Sequence, residues 1–314
     1  MVYDRGVAAK QFVEIEGRRL ALTNLEKPLY PGFSKAQVID YYVRIAPVLL
    51  PHLKDRPVTL KRYPDGVEGS FFYEKNAPKF TPEWVETFDV PRRAGGKAIR
   101  YILINNPATL VWSANLANLE IHPFLHRVPR IEEPASIVFD LDPGEGTDVL
   151  NCAEVAFLIR ELFENWKLQS VAKVSGSRGL QMYLPLNTPV TYDVTRPLAK
   201  AVAEHMEREH PDQVVAKMTK AMRPGKVFID WSQNSDFKTT VSAYSLRAKR
   251  REPFVSMPVD WDELKSAVKR RDAARLQFSP EAVLKRVAKE GDGFAPVLSL
   301  KQRLPKGLVE KLKA

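Results

Sequence analysis

Polar and apolar residues alternate along QFVEIEG (11–17) and through RRLALTNLEKPLYPG, a period of two that predicts short strands separated by turns. The period then changes. Val38, Tyr41, Tyr42, Ile45, Val48 and Leu49 recur at helical spacing behind Ser34 and Gln37, which form an S-x-x-Q capping box, and Pro51 is the expected stop. Strand-like runs follow in PVTLKRY and GSFFYEK, before a polar, proline-rich stretch that reaches Gly96. AIRYILI reads as a strand, PATLVWSANLANLEI as helical, and SIVFDLDPGEG as an apolar strand ending in acids and turn residues. Residues 147–166 are helical in pattern (Val149, Cys152, Val155, Ala156, Ile159, Leu162, Phe163), and SVAKVS, GSRG and LQMYLPL make a hairpin. Helical patterns return at 195–209 and 213–222, GKVFIDW and TTVSAYSLR read as strands, and a charged helical tail with breaks at Pro280, Pro296 and Pro305 follows Pro258. Strands interleaved with helices predict α/β or α+β architecture.

Composition narrows the class. With 314 residues, 44% of them apolar, the chain has enough material for a real core, as one large domain or two fused modules. It has no apolar run of bilayer length, and its start, MVYDRGVAAKQF, lacks a secretory apolar region and cleavage site. Cys152 is the only cysteine, so neither an internal disulfide nor a cysteine zinc cluster is available, and a cytoplasmic setting is expected. The excess of 48 Lys and Arg over 38 Asp and Glu gives +10, a balance that favours polyanions such as nucleic acid. Solvated helix faces are the plainer alternative.

The chemistry starts in Ile137-Val138-Phe139-Asp140-Leu141-Asp142, where strand alternation puts both acids on one face before Pro143 and Gly144 turn the chain. Two carboxylates side by side repel, and an oxygen-preferring divalent ion such as Mg²⁺ or Mn²⁺ removes the conflict. Solvated acids at a turn are the alternative. Asp230 stands in the apolar run VFIDW, where a lone carboxylate is costly without a partner: either Arg223 or Lys226, or a metal shared with the first pair. Three converging carboxylates are what two-metal phosphoryl transfer uses. Ser175-Gly176-Ser177-Arg178-Gly179 is either an anion-cradling turn or a plain hairpin, and it lacks P-loop spacing. Arg223 and Arg247 flank Asp230 in sequence and suit bidentate phosphate binding.

DLDPG, SGSRGLQMYLPL, RPGKVFIDWSQN and SAYSLRA, in that order, resemble the polymerase domain of bacterial ligase D, of the archaeo-eukaryotic primase superfamily. The resemblance runs from about Leu22 to about Leu264 and takes in TNLEKPLYP, RPVTLKRYPDGVEGSFFYEKNAP and NLEIHP. It implies that Asp140, Asp142 and Asp230 hold the catalytic metals, and that His122, Ser175, Arg178, Arg223, Gln233 and Arg247 hold the nucleotide. It also implies that Phe71 and Phe72 stack on bases, with core packing as the alternative for each ring. Lys27 and Lys35 would read a downstream 5′-phosphate, the alternative for Lys35 being a solvated first-turn lysine. The family pattern SGGKGLH departs here to Arg178, which keeps the charge, and to Gln181, which cannot take up a proton.

The fold so implied is a primase-polymerase: an N-terminal module over about 1–125, a catalytic module over about 126–300 with an RNA-recognition-like sheet, and a 301–314 tail. The implied activity is extension of DNA 3′ ends and filling of short gaps with Mn²⁺ or Mg²⁺, favouring ribonucleotides over deoxyribonucleotides. The expected setting is end joining or gap repair at the nucleoid of a bacterium or archaeon, with an ATP-dependent ligase and Ku as partners. No ligase or phosphoesterase domain is expected within 314 residues, so the chain reads as a stand-alone enzyme or an excised domain. Two rivals are a catalytically silent DNA-end scaffold that recruits a ligase and a D-x-D sugar-nucleotide transferase. The second predicts neither the basic balance nor the arginines around Asp230.

Overall fold

The computed structural model describes residues 10–92 and 95–313, so the start read above for a targeting signal lies mostly outside it. Helix α1 (Lys35–Leu53) begins at the expected box, with Ser34 Oγ accepting from Gln37 N and Gln37 Oε1 accepting from Ser34 N. It does not stop at Pro51. Both Pro47 and Pro51 lie on its exposed side, where the carbonyls they leave unpaired reach water. Helix α2 (Pro107–Asn115) is shorter than the pattern suggested, because Ala117 turns at φ 57° and the following residues form a strand, Asn118–Pro123. There Asn118, Glu120 and His122 alternate with buried Leu119 and Ile121, a period of two that the preceding helix hid.

Strand Pro57–Arg62 is the centre of a five-stranded sheet. Asn118–Pro123 pairs along its length, Phe72–Glu74 pairs its last three residues and Ile99–Leu103 its first two. Thr87–Val90, hidden in the proline-rich stretch, extends this sheet beside Ile99–Leu103.

The second sheet has six strands in the order Val214–Val215, Val227–Asp230, Ser136–Pro143, Leu180–Pro185, Val171–Val174 and Pro258–Val259. Helices α3 (Val149–Asn165) and α4 (Tyr192–Glu209) pack on it. The chain thus runs strand, helix, strand, strand, helix, strand, and the four strands lie in the order fourth, first, third, second: the expected RNA-recognition-like sheet in a mixed α/β molecule. Two further expectations are corrected. Residues 213–222 form no α-helix but a two-residue strand and a single 3₁₀ turn, Lys220–Met222. TTVSAYSLR is regular only at Leu246–Arg247, and Tyr244 breaks it at φ 64°.

That irregular segment joins the two sheets. Thr239 bridges Phe124, Ser242 N donates to Ile121 O, and Ile121 N donates to Ser245 Oγ. Three buried tyrosines of the N-terminal part bond this segment: Tyr30 and Tyr41 donate to the carbonyls of Arg247 and Tyr244 at 3.0 and 2.8 Å, and Tyr42, which donates to Leu119 O at 2.6 Å, accepts from Leu246 N at 3.2 Å. Helices α5 (Trp261–Arg270), α6 (Pro280–Glu290), α7 (Pro296–Ser299) and α8 (Leu308–Lys313) complete the chain; α5 lies on α3, α6 on α1 and α8 on α4. Leu308 and Leu312 are buried, and Gln302 bonds the backbone of Gln169 and Pro185. Among the described residues no helix is long and apolar enough to cross a membrane.

Candidate active site

Alternation along Ser136–Pro143 sends Ile137, Phe139 and Leu141 into the core, where Phe139 meets Phe163 of α3, and leaves Val138, Asp140 and Asp142 on the opposite face. Antiparallel pairing sets Asp230 directly across from Asp140, so the three aspartates that the sequence singled out converge at one strand end. Neither Arg223 nor Lys226 pairs with Asp230 among the described residues. Its Oδ1 accepts from Ser232 N (2.9 Å) and Ser232 Oγ (2.6 Å), and its Oδ2 accepts from Gln233 Nε2 (3.1 Å).

Burial pushes the Asp140 carboxyl up to about 7, Asp142 beside it pushes the same way, and Asp142 is itself raised by burial and by Asp230. The donor set, all carboxylate oxygen, suits a hard divalent ion. Among the described residues no three such side chains are yet gathered closely enough to hold one, since Asp230 is turned onto Ser232 and Gln233.

Two glycines set the tight spacing here. A Cβ on Gly144 would stand 1.8 Å from the Arg223 carbonyl oxygen, and one on Gly179 would stand 2.3 Å from that of Leu141. Their absence lets the Arg223 segment and the Ser175 turn close against the aspartate strand.

A cleft of about 870 Å³ opens over this face. Asp140, Asp142, His122, Ser175, Arg178, Gln233, Arg223 and Arg247 all line it, so the expected nucleotide-binding set comes together. Its rim adds Lys75, Lys220, Lys238 and Lys249. The Ser175 turn is less open than expected: Ser175 Oγ accepts from Ser177 N and Gly179 N, so those amides are already used. Arg223 lies 3.7 Å over the Phe228 ring and donates to Met218 O, which holds its guanidinium beside the strand end.

A buried acid of this cleft also escaped the sequence reading. Glu120, 1% exposed, sits among His122 (2.9 Å), Lys61 (3.4 Å) and Arg247 (3.7 Å) and also accepts from Ala248 N (3.1 Å). These partners hold its carboxyl well below the usual range despite burial, while burial pulls His122 down. Glu120 therefore fixes both His122 and Arg247. The available signal was a glutamate inside the apolar run NLEI, a charge that needs buried cations.

Phe71 and Phe72 part company. Phe71 lies tilted against Tyr63 and edge-on to Tyr73, above the Lys61 ammonium (4.2 Å), whereas Phe72 lies under Arg62 (5.1 Å). Both rings are exposed, which removes core packing as their role, and Tyr73 rather than Phe72 lines the cleft. Lys27 and Lys35 lie outside the cleft lining. Lys27 pairs with Asp65 at 3.0 Å. Lys35 is no solvated lysine: it is buried, donates to Thr23 O at 2.6 Å, and is pulled down to about 8 by burial and by neighbouring Lys27 and Arg62. Lys27, Lys35 and Arg62 thus form a second basic centre, with Phe72 against Arg62.

The chain is similar to known proteins in both sequence and structure. Residues 34–294 match the family model described as LigD, primase-polymerase domain. The chain is 42% identical over 283 residues to the multifunctional non-homologous end joining protein LigD of Mycolicibacterium smegmatis, covering 89% of this chain and 36% of that protein. It is 30% identical over 280 residues to the bifunctional LigD of Bacillus subtilis, covering 88% of this chain and 44% of that one. The chain therefore spans less than half the length of these relatives. In structure it resembles the polymerase domain of Mycobacterium tuberculosis ligase D in complex with DNA, with a TM-score of 0.83 and 39% identity over 90% of this chain and 99% of that one.

Proposed function

Because the chain belongs to the LigD primase-polymerase domain family, we propose that it extends DNA 3′ ends and fills short gaps by nucleotidyl transfer, favouring ribonucleotides, in non-homologous end joining. The observation that carries this reading is the convergence of Asp140, Asp142 and Asp230 under a cleft rimmed by arginines and lysines. Mn²⁺ or Mg²⁺, held by Asp140 and Asp142 with Asp230 turned toward them, would supply activation of the attacking 3′-hydroxyl and charge for the triphosphate. Arg178, Arg223 and Arg247 hold the triphosphate by charge-assisted hydrogen bonds, and His122 donates to it from the orientation Glu120 sets. Phe71 and Tyr73 offer faces on which a base stacks, whatever its identity. Lys27 and Lys35 read the 5′-phosphate of the downstream strand, with Phe72 against the neighbouring duplex end. The partners are DNA with ends, nicks or gaps, NTP or dNTP, a companion ATP-dependent ligase and Ku.

The deciding experiment incubates the purified protein with a 5′-phosphorylated gapped duplex, Mn²⁺ and either rNTPs or dNTPs. Template-directed extension, faster with rNTPs, is expected. DNA binding without extension would leave the end-binding scaffold as the better account.

A further inference from the structure

One line of residues crosses the cleft face of the six-stranded sheet: Asp230, Asp140, Gln181, Lys173 and Pro258, each the cross-strand partner of the next. Residues paired in this way have Cβ atoms about 4.5–5.5 Å apart. Gln181 is therefore the side chain that stands against Asp140 on the flank away from Asp230. It is also what separates Asp140 from Lys173, a fully buried lysine whose Nζ donates to Ser256 Oγ at 2.6 Å.

Gln181 is 3% exposed, and its amide is held at both ends. Nε2 donates to Thr240 Oγ1 at 2.9 Å, while Oε1 accepts from the Tyr183 hydroxyl at 3.4 Å. A primary amide carries two N–H groups. With the oxygen turned to Tyr183 and one N–H on Thr240, the second N–H is the one offered to the Asp140 carboxylate. Reversing the amide would set its oxygen against that carboxylate.

We infer that Gln181, locked by Thr240 and Tyr183, is a positioning residue for Asp140: it fixes the carboxylate's rotamer by a neutral hydrogen bond and so presets the metal-binding face. The inference rests on the polymerase reading but concerns how its first ligand is aimed. Residues that orient a metal ligand typically matter by about 10–100-fold in metal affinity. Thr240 and Tyr183, one step further out, should matter less.

The test compares wild type with Gln181→Met, which keeps length and removes the donor, and Gln181→His, which restores an N–H. Mn²⁺ binding is read directly from the loss of the free-ion electron paramagnetic resonance signal, beside melting temperature and nucleotide KM. Gln181→Met should weaken Mn²⁺ binding about tenfold at a nearly unchanged melting temperature, with Gln181→His recovering most of it. Thr240→Val should weaken it by a smaller factor, and it answers the same question if Gln181→Met does not fold. Mn²⁺ binding equal to wild type in both Gln181→Met and Thr240→Val, or a loss that tracks melting temperature alone, would overturn the inference. A wild type that neither binds Mn²⁺ nor extends DNA would instead remove the polymerase reading.

Discussion

Asp140 carries the electrostatic tension of the site. In the folded protein its carboxyl holds a proton up to about pH 7, whereas in the unfolded chain it releases that proton near the ordinary 3.8. The folded state therefore binds more protons between those values and loses stability as pH rises through that window. Asp140→Asn should accordingly stabilise the metal-free protein at pH 8 by on the order of 1–3 kcal/mol, with little effect at pH 4. Added Mn²⁺ should raise the melting temperature of wild type far more than that of the variant. The same substitution should abolish extension and leave DNA affinity nearly unchanged in a gel-shift assay. Equal melting temperatures at pH 8 would mean that the aspartates are not in conflict.

Among local elements, the segment between Thr23 and α1 shows how a strand end and a helix start make a basic centre. Lys35, in the first turn, points back to Thr23 O beneath the Lys27 side, and its ammonium titrates near 8. If it reads a 5′-phosphate, preference for a phosphorylated downstream strand should fade as pH rises from 7.5 to 9. In Lys35→Arg, whose guanidinium stays charged, the preference should persist. Filling rates on phosphorylated and unphosphorylated gaps across that range test this, and a flat ratio in wild type would assign the phosphate to other residues.

Elements were legible where a single period governs them. The α1 stripe, the 171–185 hairpin and the Asp140 strand follow from spacing and caps. Asp140 and Asp142 were readable as a pair because alternation is local. The approach of Asp230, the burial of Lys35 and the role of Glu120 depend on partners up to 128 residues away, which no local pattern encodes. The strand at Asn118 was masked by the helix that runs into it.

For the whole molecule, the C-terminal segment closes the fold behind the catalytic sheet. Leu308 and Leu312 are buried against α4, Arg208 bonds Leu312 O, and Gln302 ties two strands' ends. Each buried leucine contributes about 1.5–3 kcal/mol. Removal of 301–314 should lower the melting temperature by several degrees while leaving Mn²⁺ affinity in the surviving folded fraction unchanged. A melting temperature within a degree of wild type would show that these contacts add nothing.

The tyrosine seam has a consequence measured in nucleotides. Tyr41 of α1 donates to the Tyr244 carbonyl and the Tyr42 hydroxyl accepts from Leu246 N, so the helix that starts at Lys35 and the segment that ends at Arg247 are pinned to one another. If the proposed 5′-phosphate contact at Lys35 and the proposed nucleotide contact at Arg247 both hold, the bracket between them is a gauge of fixed length. It should then work best on gaps of one preferred size. Loosening the bracket with Tyr41→Phe and Tyr42→Phe together should broaden that size distribution rather than slow every gap alike.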